Sequence, residues 1–148
     1  MAEGPAAGAV GPGRVLAIDP GERRMGLAVS DPECRVALGL ATFTAGHGKS
    51  FVDHLRGLLQ AYGVTRLVVG QPLNLDGSVG AAARRAVALA RRLRRELGVS
   101  VELWDERLTS AQAERLLRGT RAQRGIVDRM AATLILQSYL DHSGRERA

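Results

Sequence analysis

Four carboxylates stand where backbone elements end. Asp19 closes the apolar run Val15–Ile18, just before the breaker Pro20-Gly21. Asp105 and Glu106 close VELW, the last strand-like segment, and Asp128 falls in the first turn of the last helical segment, IVDRMAATLILQSYL. Alone, each has an ordinary use. An Asp before Pro-Gly bonds its own backbone to start a turn. Glu106 can pair with Arg107 or Arg129, and an acid in a first helical turn favours the helix dipole by about 0.3–1 kcal/mol. Together they suggest chemistry, because strand ends and helix N-termini are where open α/β sheets assemble their sites. Carboxylates brought together repel unless cations lie between them. Hard divalent ions such as Mg²⁺ take oxygen ligands, and a pair of them assists phosphodiester hydrolysis. One cysteine and three scattered histidines offer no rival zinc set.

The elements that must carry these acids follow from apolar spacing. Strands are expected at 14–19, 24–30 and about 35–43. In the second of them Met25, Leu27 and Val29 alternate with small residues at a period of two. The short connection at Pro20-Gly21 predicts an antiparallel hairpin. His47–Tyr62 carries Phe51, Leu55, Leu58, Leu59 and Tyr62 at helical spacing, and Gly63 stands where a C-cap glycine belongs. TRLVVG (65–70) reads as a buried strand, QPLNLDGSVG as a loop, 81–97 as a long helix ended by Gly98, and 99–104 as a strand. Thr109-Ser110-Ala111-Gln112 has the form of a capping box opening a helix to about Gly119. RAQRG reads as a basic linker and 125–140 as the last helix. The order predicts an α/β fold: a mixed five-stranded sheet, three antiparallel N-terminal strands and then parallel strands, flanked by helices. Asp128 shares a helical stripe with Ala132, Ile135 and Tyr139, which aims its carboxylate at the sheet.

Charge points to the partner. The 148 residues carry a formal +6, with a pI of about 10.9, which favours a polyanion and nucleic acid above all. On the long helix Arg84, Arg85, Arg91, Arg92 and Arg95 fall within about a third of the wheel, opposite Ala86, Leu89, Leu93 and Leu97. That face is either solvated or a contact surface for phosphates. Aromatics at 3% argue against a base-stacking platform. No apolar run approaches the ~20 residues of a membrane span. Residues 1–13 have neither the basic region nor the apolar core of a secretory signal and read as a disordered tail, as do 142–148. The single Cys34 excludes an internal disulfide and fits a reducing cytoplasm. One domain, 14–141, is expected.

AIDPGERRMGLAVSD, LVVGQPLNLDGSVG, DERLTSAQAE and IVDRMAATLILQSYLD, in that order, resemble the YqgF/RuvX family of bacterial RNase H-like nucleases, also called Holliday junction resolvases or pre-16S rRNA nucleases. The resemblance spans about residues 14 to 141. It implies an RNase H-like fold and a hydrolase using one or two Mg²⁺ or Mn²⁺ ions. Asp19, Glu106 and Asp128 would be the catalytic acids, and Asp105 would join them as metal ligands. Arg23 and Arg24, with Arg107, Arg124 and the arginine face of the long helix, would hold phosphates. QPLNLDGSVG would be a mobile loop offering Asn74 and Ser78 to substrate. Resolvases of this fold class usually carry an acid at the end of the strand corresponding to LVVG. Here Gly70-Gln71 stands there and the acid falls on the next strand, as Asp105-Glu106, a site that could hold one ion tightly and a second only with substrate.

The implied work is 5′-end processing of pre-16S rRNA in ribosome biogenesis, in the cytoplasm, by a monomer or homodimer acting on structured or single-stranded RNA. The alternatives are resolution of branched DNA, which needs two sites in a dimer, and a non-catalytic nucleic-acid-binding module. Asp-Pro-Gly before a second strand also resembles the first phosphate loop of actin-like kinases, but the chain lacks the second domain those proteins need.

Overall fold

In the computed structural model the described residues are 13–46, 48, 50–109 and 121–147, the side chains of 121–128 and 145–147 excepted. The elements run β1 (Arg14–Asp19), β2 (Arg24–Ser30), β3 (Ala37–Thr44), α1 (Phe51–Tyr62), β4 (Val64–Gln71), α2 (Ala81–Leu97), β5 (Ser100–Asp105), a 3₁₀ turn (Glu106–Leu108) and α3 (Arg121–Arg147). The sheet order is β3-β2-β1-β4-β5. β1 and β2 form the expected antiparallel hairpin, with Asp19 opposite Gly26, and β2 pairs antiparallel with β3. β4 lies parallel to both β1 and β5.

Strand alternation divides the core between two faces. On one, Val15, Ala17, Ala28 and Val68 meet Ala131, Ala132, Ile135, Leu136, Tyr139 and Leu140 of α3. On the other, Leu16, Ile18, Leu27, Leu67, Val69 and Val101 meet Val52 and Leu55 of α1 and Ala86, Ala90 and Leu93 of α2. The helix α3 runs antiparallel to β1. Ile135 lies at Gly70, Tyr139 reaches Arg66, and Leu140 and Ser143 adjoin Gly13 and Val15. The start of α3 therefore belongs to the sheet edge at which β1, β4 and β5 end.

Several boundaries differ from the sequence expectation, each for a local reason. β3 starts at Ala37 rather than 35, because Asp31 Oδ1 accepts from the backbone N–H groups of Arg35 (2.7 Å) and Val36 (2.9 Å) and holds them in a turn. α1 starts at Phe51 rather than His47. Ser50 is extended (φ −73°, ψ 153°), and its hydroxyl accepts from Asp53 N, making it the N-cap. Gly63 is left-handed (φ 64°), as expected of a C-cap glycine, and α2 spans 81–97 as expected. The segment read as a linker, RAQRG, is helical from Arg121. The segment read as a tail from His142 is helical to Arg147, although Gly144 disfavours it. His142 anchors that extension, with its ring 5.1 Å from Trp104 and Nδ1 2.8 Å from the Ser138 carbonyl. The helix expected over 110–119 falls outside the described residues.

A polar strut ties α3 to the sheet below the edge. Arg66 Nη1 donates to Tyr139 Oη (2.8 Å), whose hydroxyl lies 3.5 Å from Glu102 Oε2, and Trp104 packs edge-on against the Tyr139 ring at 5.5 Å. Burial raises the phenol pKa, whereas the Tyr139 hydrogen bond raises that of Arg66. Tyr139→Phe keeps the ring and removes the acceptor of a half-buried guanidinium. The expected cost is about 1–2 kcal/mol, read as a lower midpoint in urea with an unchanged slope.

Candidate functional site

Side-chain alternation decides which acids meet. Asp19 follows Val15 and Ala17 on the α3 face of β1 and is 2% exposed. On β4 the neighbouring position is Gly70, since Ile18 pairs with Val69, and Gly70 follows Val68 on that same face. Glu106 comes one residue after β5 and is fully buried. A Cβ at Gly70 would lie 2.8 Å from Glu106 Oε2 and 2.6 Å from Ile135 Cδ1. Glu106 thus reaches across the bare backbone of Gly70 toward the strand that ends in Asp19. Asp128 occupies a backbone position two turns before Ile135 and one before Ala132. Its side chain lies outside the described residues, as does that of Arg124. Among the described residues no group of three His, Cys, Asp or Glu is placed to share a metal ion.

The hairpin that carries Asp19 is tight. A Cβ at Gly21 would collide with the Arg24 carbonyl oxygen, so glycine there lets the chain turn back within four residues. Arg23 is exposed and Arg24 half-buried in this turn.

Asp105 is placed otherwise. It falls on the strand face opposite Trp104, paired in register with Gln71, and it binds Arg107. Its Oδ2 lies 2.7 Å from Arg107 Nη2, and its Oδ1 accepts from the Arg107 backbone N–H at 2.9 Å. The guanidinium holds the Asp105 carboxyl below its ordinary pKa. Arg107 also donates to the Leu75 carbonyl (3.3 Å) and so connects the end of β5 to the loop after β4.

That loop has its own internal order. Asn74 Nδ2 donates to Ser78 Oγ (2.9 Å), Ser78 Oγ donates to Asp76 Oδ1 (2.6 Å), and the Asn74 N–H donates to the Ser78 carbonyl (3.0 Å). The Ser78 hydrogen bonds hold the Asp76 carboxyl below its ordinary pKa. Asn74 and Ser78, expected at the substrate, are exposed but hydrogen-bonded to each other. Leu75, 87% exposed, forms the tip. Arg84, Arg85, Arg91, Arg92 and Arg95 are all exposed on α2. Arg94, which the arginine face did not include, donates from Nε and Nη2 to the Val101 carbonyl.

The residue that sequence reasoning passed over is Gly70. It was noticed for the acid it lacks. Having no Cβ, it lets Ile135 and Glu106 lie directly against the backbone of β4, and the only sequence signal is a glycine closing an apolar parallel strand.

A mixed five-stranded sheet in this order, with Asp19 buried at the end of the central strand and Glu106 buried just past the edge strand β5, has the architecture of an RNase H-like nuclease. The comparisons with known proteins agree. The family model described as RuvX, Holliday junction resolvase, matches residues 13–142. A protein of Pelotomaculum thermopropionicum named "Putative pre-16S rRNA nuclease" is 43% identical over 141 residues, covering 90% of each chain. One of the same name from Anaeromyxobacter sp. (strain K) is 46% identical over 132 residues, covering 86% of this chain and 96% of its own. Among solved structures, Thermus thermophilus RuvC in complex with a Holliday junction substrate has the same fold. Its TM-score is 0.55 at 16% identity, covering 89% of this chain and 97% of that one. The chain belongs to the RuvX family.

Proposed function

We propose that this nuclease is divalent-metal-dependent and trims the 5′ side of a pre-16S rRNA; the substrate reading is supported by relatives named as pre-16S rRNA nucleases. The observation that carries the metal reading is the burial of two acids at one sheet edge. Asp19 and Glu106 are buried at the ends of β1 and β5, the two strands that flank β4, and Glu106 lies against the side-chain-free backbone of Gly70; buried carboxylates brought to one sheet edge fit a small hard cation. Asp19, Glu106 and Asp128 would hold one or two Mg²⁺ or Mn²⁺ ions. The chemistry such ions supply is an acidified water and charge compensation at the leaving oxygen.

The chain's own residues do the rest. The sheet edge fixes Asp19, and the packed 3₁₀ turn fixes Glu106. Ile135 packs against Gly70 beside Glu106, and burial there strengthens each charge interaction. Arg23, Arg24 and Arg124 would hold phosphates beside the cut. Asp105 positions Arg107 and, through it, the loop that carries Asn74 and Ser78. Hydrolysis puts the oxygen of water on phosphorus and breaks one P–O bond, the proton ending on the departing oxygen.

Among the described residues no helix is long and apolar enough to cross a membrane; work on a ribosomal RNA precursor belongs in the cytoplasm. The family description keeps junction resolution as a second substrate reading, and that reading requires a dimer presenting two sites.

The test is cleavage by wild type and Asp19→Asn of a labelled pre-rRNA 5′ leader, an unrelated single strand and a four-way DNA junction, with Mg²⁺, Mn²⁺ or EDTA. Cutting of the leader that needs metal and is lost in the variant is the expected result. Preference for the junction, together with a dimer in solution, would replace RNA by branched DNA. Binding without any cutting would leave a non-catalytic module.

A further inference from the structure

The helix α2 holds six arginines and one glutamate, a formal +5 of the chain's +6. That charge is arranged against the helix's own stability. Arg91 and Arg95 are like charges one turn apart. Arg84 and Arg85 stand near an N-terminus where the dipole disfavours cations and the first turn supplies no acid. Among the described residues only Arg92 has an ion-pair partner on this face, Glu96 at 2.7 Å, and that pair is half exposed. A face that served solubility alone would mix its signs.

The geometry is that of a track. At ~100° per residue Arg84, Arg91 and Arg95 lie within about 20° of a common line, with Arg85 and Arg92 in a second row beside it. Arg84 to Arg95 spans about 16 Å, the rise of about five nucleotides of a helical strand. The track starts where the loop from the end of β4 enters α2, at the sheet edge that carries Asp19 and Glu106. It leads away from that edge on the sheet face opposite α3.

We propose that the exposed arginine face of α2 binds the phosphate backbone of the RNA segment flanking the scissile bond, and so sets a minimum substrate length. Its register with the cut rests on the nuclease reading above. The contact itself does not, and it is tested without catalysis.

The experiment measures binding of fluorescent RNAs of about six and about forty nucleotides, in EDTA, from 0.05 to 0.5 M KCl. Wild type is compared with Arg91→Gln/Arg95→Gln and with Arg35→Gln/Arg56→Gln, which removes the same charge from exposed sites off the track. Each lost phosphate contact on a single strand lowers the salt slope by about 0.7. The track variant is expected to lose about 1.4 from the slope for the long RNA, which corresponds to about 25-fold weaker binding at 0.1 M salt. The control is expected to match wild type, and the short RNA to gain little from the track in any protein. Removing like charges from an exposed face leaves folding intact, which thermal melts check. Equal slopes for wild type and the track variant, or equal losses in track variant and control, would overturn the proposal. If wild type cuts no substrate yet the slopes behave as expected, the nuclease reading fails and the track stands.

Discussion

Glu106→Gln is expected to lower cleavage about 10³-fold or more, whereas Asp105→Asn, one residue away, is expected to lower it about tenfold or less. Glu106 is the fully buried acid whose carboxylate lies against Gly70, on the face that Asp19 shares. Removing a ligand that contributes several kcal/mol of charge stabilisation costs three or more factors of ten in rate. Asp105 lies on the other face and spends its carboxylate on Arg107. That pair is partly exposed, so it contributes modestly, and its loss reaches the reaction through the loop that Arg107 tethers. The Asp105 defect should appear mainly in KM and the Glu106 defect in kcat. Because the folded-state pKa of Asp105 is depressed, the Arg107 clamp is intact at neutral pH. It is lost only as pH falls through that lowered value, so it adds no pH dependence near 7. A second readout avoids activity altogether. An ion at 100 times its Kd stabilises the fold by about 2.7 kcal/mol, or about 5–10 °C in Tm for a chain of this size. Wild type and Asp105→Asn should show that shift with Mn²⁺, and Glu106→Gln should not. If both variants keep the shift and cleavage, Glu106 is a structural acid.

The pairing of Asp105 with Glu106 shows where reading the sequence stops. That an acid stands at the end of β5 is plain from VELWDE. Which of two adjacent acids faces α3 is a matter of register, and a one-residue slip exchanges the faces. Trp104, packed on α3 beside Tyr139, settles the register in the structure. Val15–Ile18 and Leu67–Val69 were legible as buried strands because continuous apolar runs bounded by breakers are characteristic of sheet centres. Gly63 and Gly98 marked the helix ends because only glycine takes the left-handed cap without strain. The misjudged segments, RAQRG and the run from His142, lack apolar periodicity. Tertiary contacts around His142 override weak local propensity there, and no local pattern could report them. Asn74 and Ser78 are expected at the substrate only through the family resemblance, which says nothing of their local partners. Their mutual hydrogen bond depends on how the loop folds back at Gly77.

Gly70→Ala adds one methyl group and is expected to reduce kcat about 100-fold. The new Cβ would lie 2.6 Å from Ile135 Cδ1 and 2.8 Å from Glu106 Oε2, both closer than carbon tolerates. Both neighbours are side-chain ends, so the fold survives by moving them, at a cost of about 1–3 kcal/mol. Displacing Glu106 toward 1 Å is the kind of misplacement that costs about two orders of magnitude in rate. A compensating variant separates packing from chemistry. Ile135→Val removes the Cδ1 methyl and relieves one of the two clashes. Gly70→Ala/Ile135→Val should therefore recover part of the lost stability and none of the lost rate, because the carboxylate is still displaced. Urea midpoints and single-turnover rates on one RNA leader measure the two effects. Recovery of both together would mean that Gly70 matters for packing alone, and that this strand end is only a place for Ile135 to fit. Loss of rate that persists after stability returns would assign the bare backbone of Gly70 a part in setting where the acids stand.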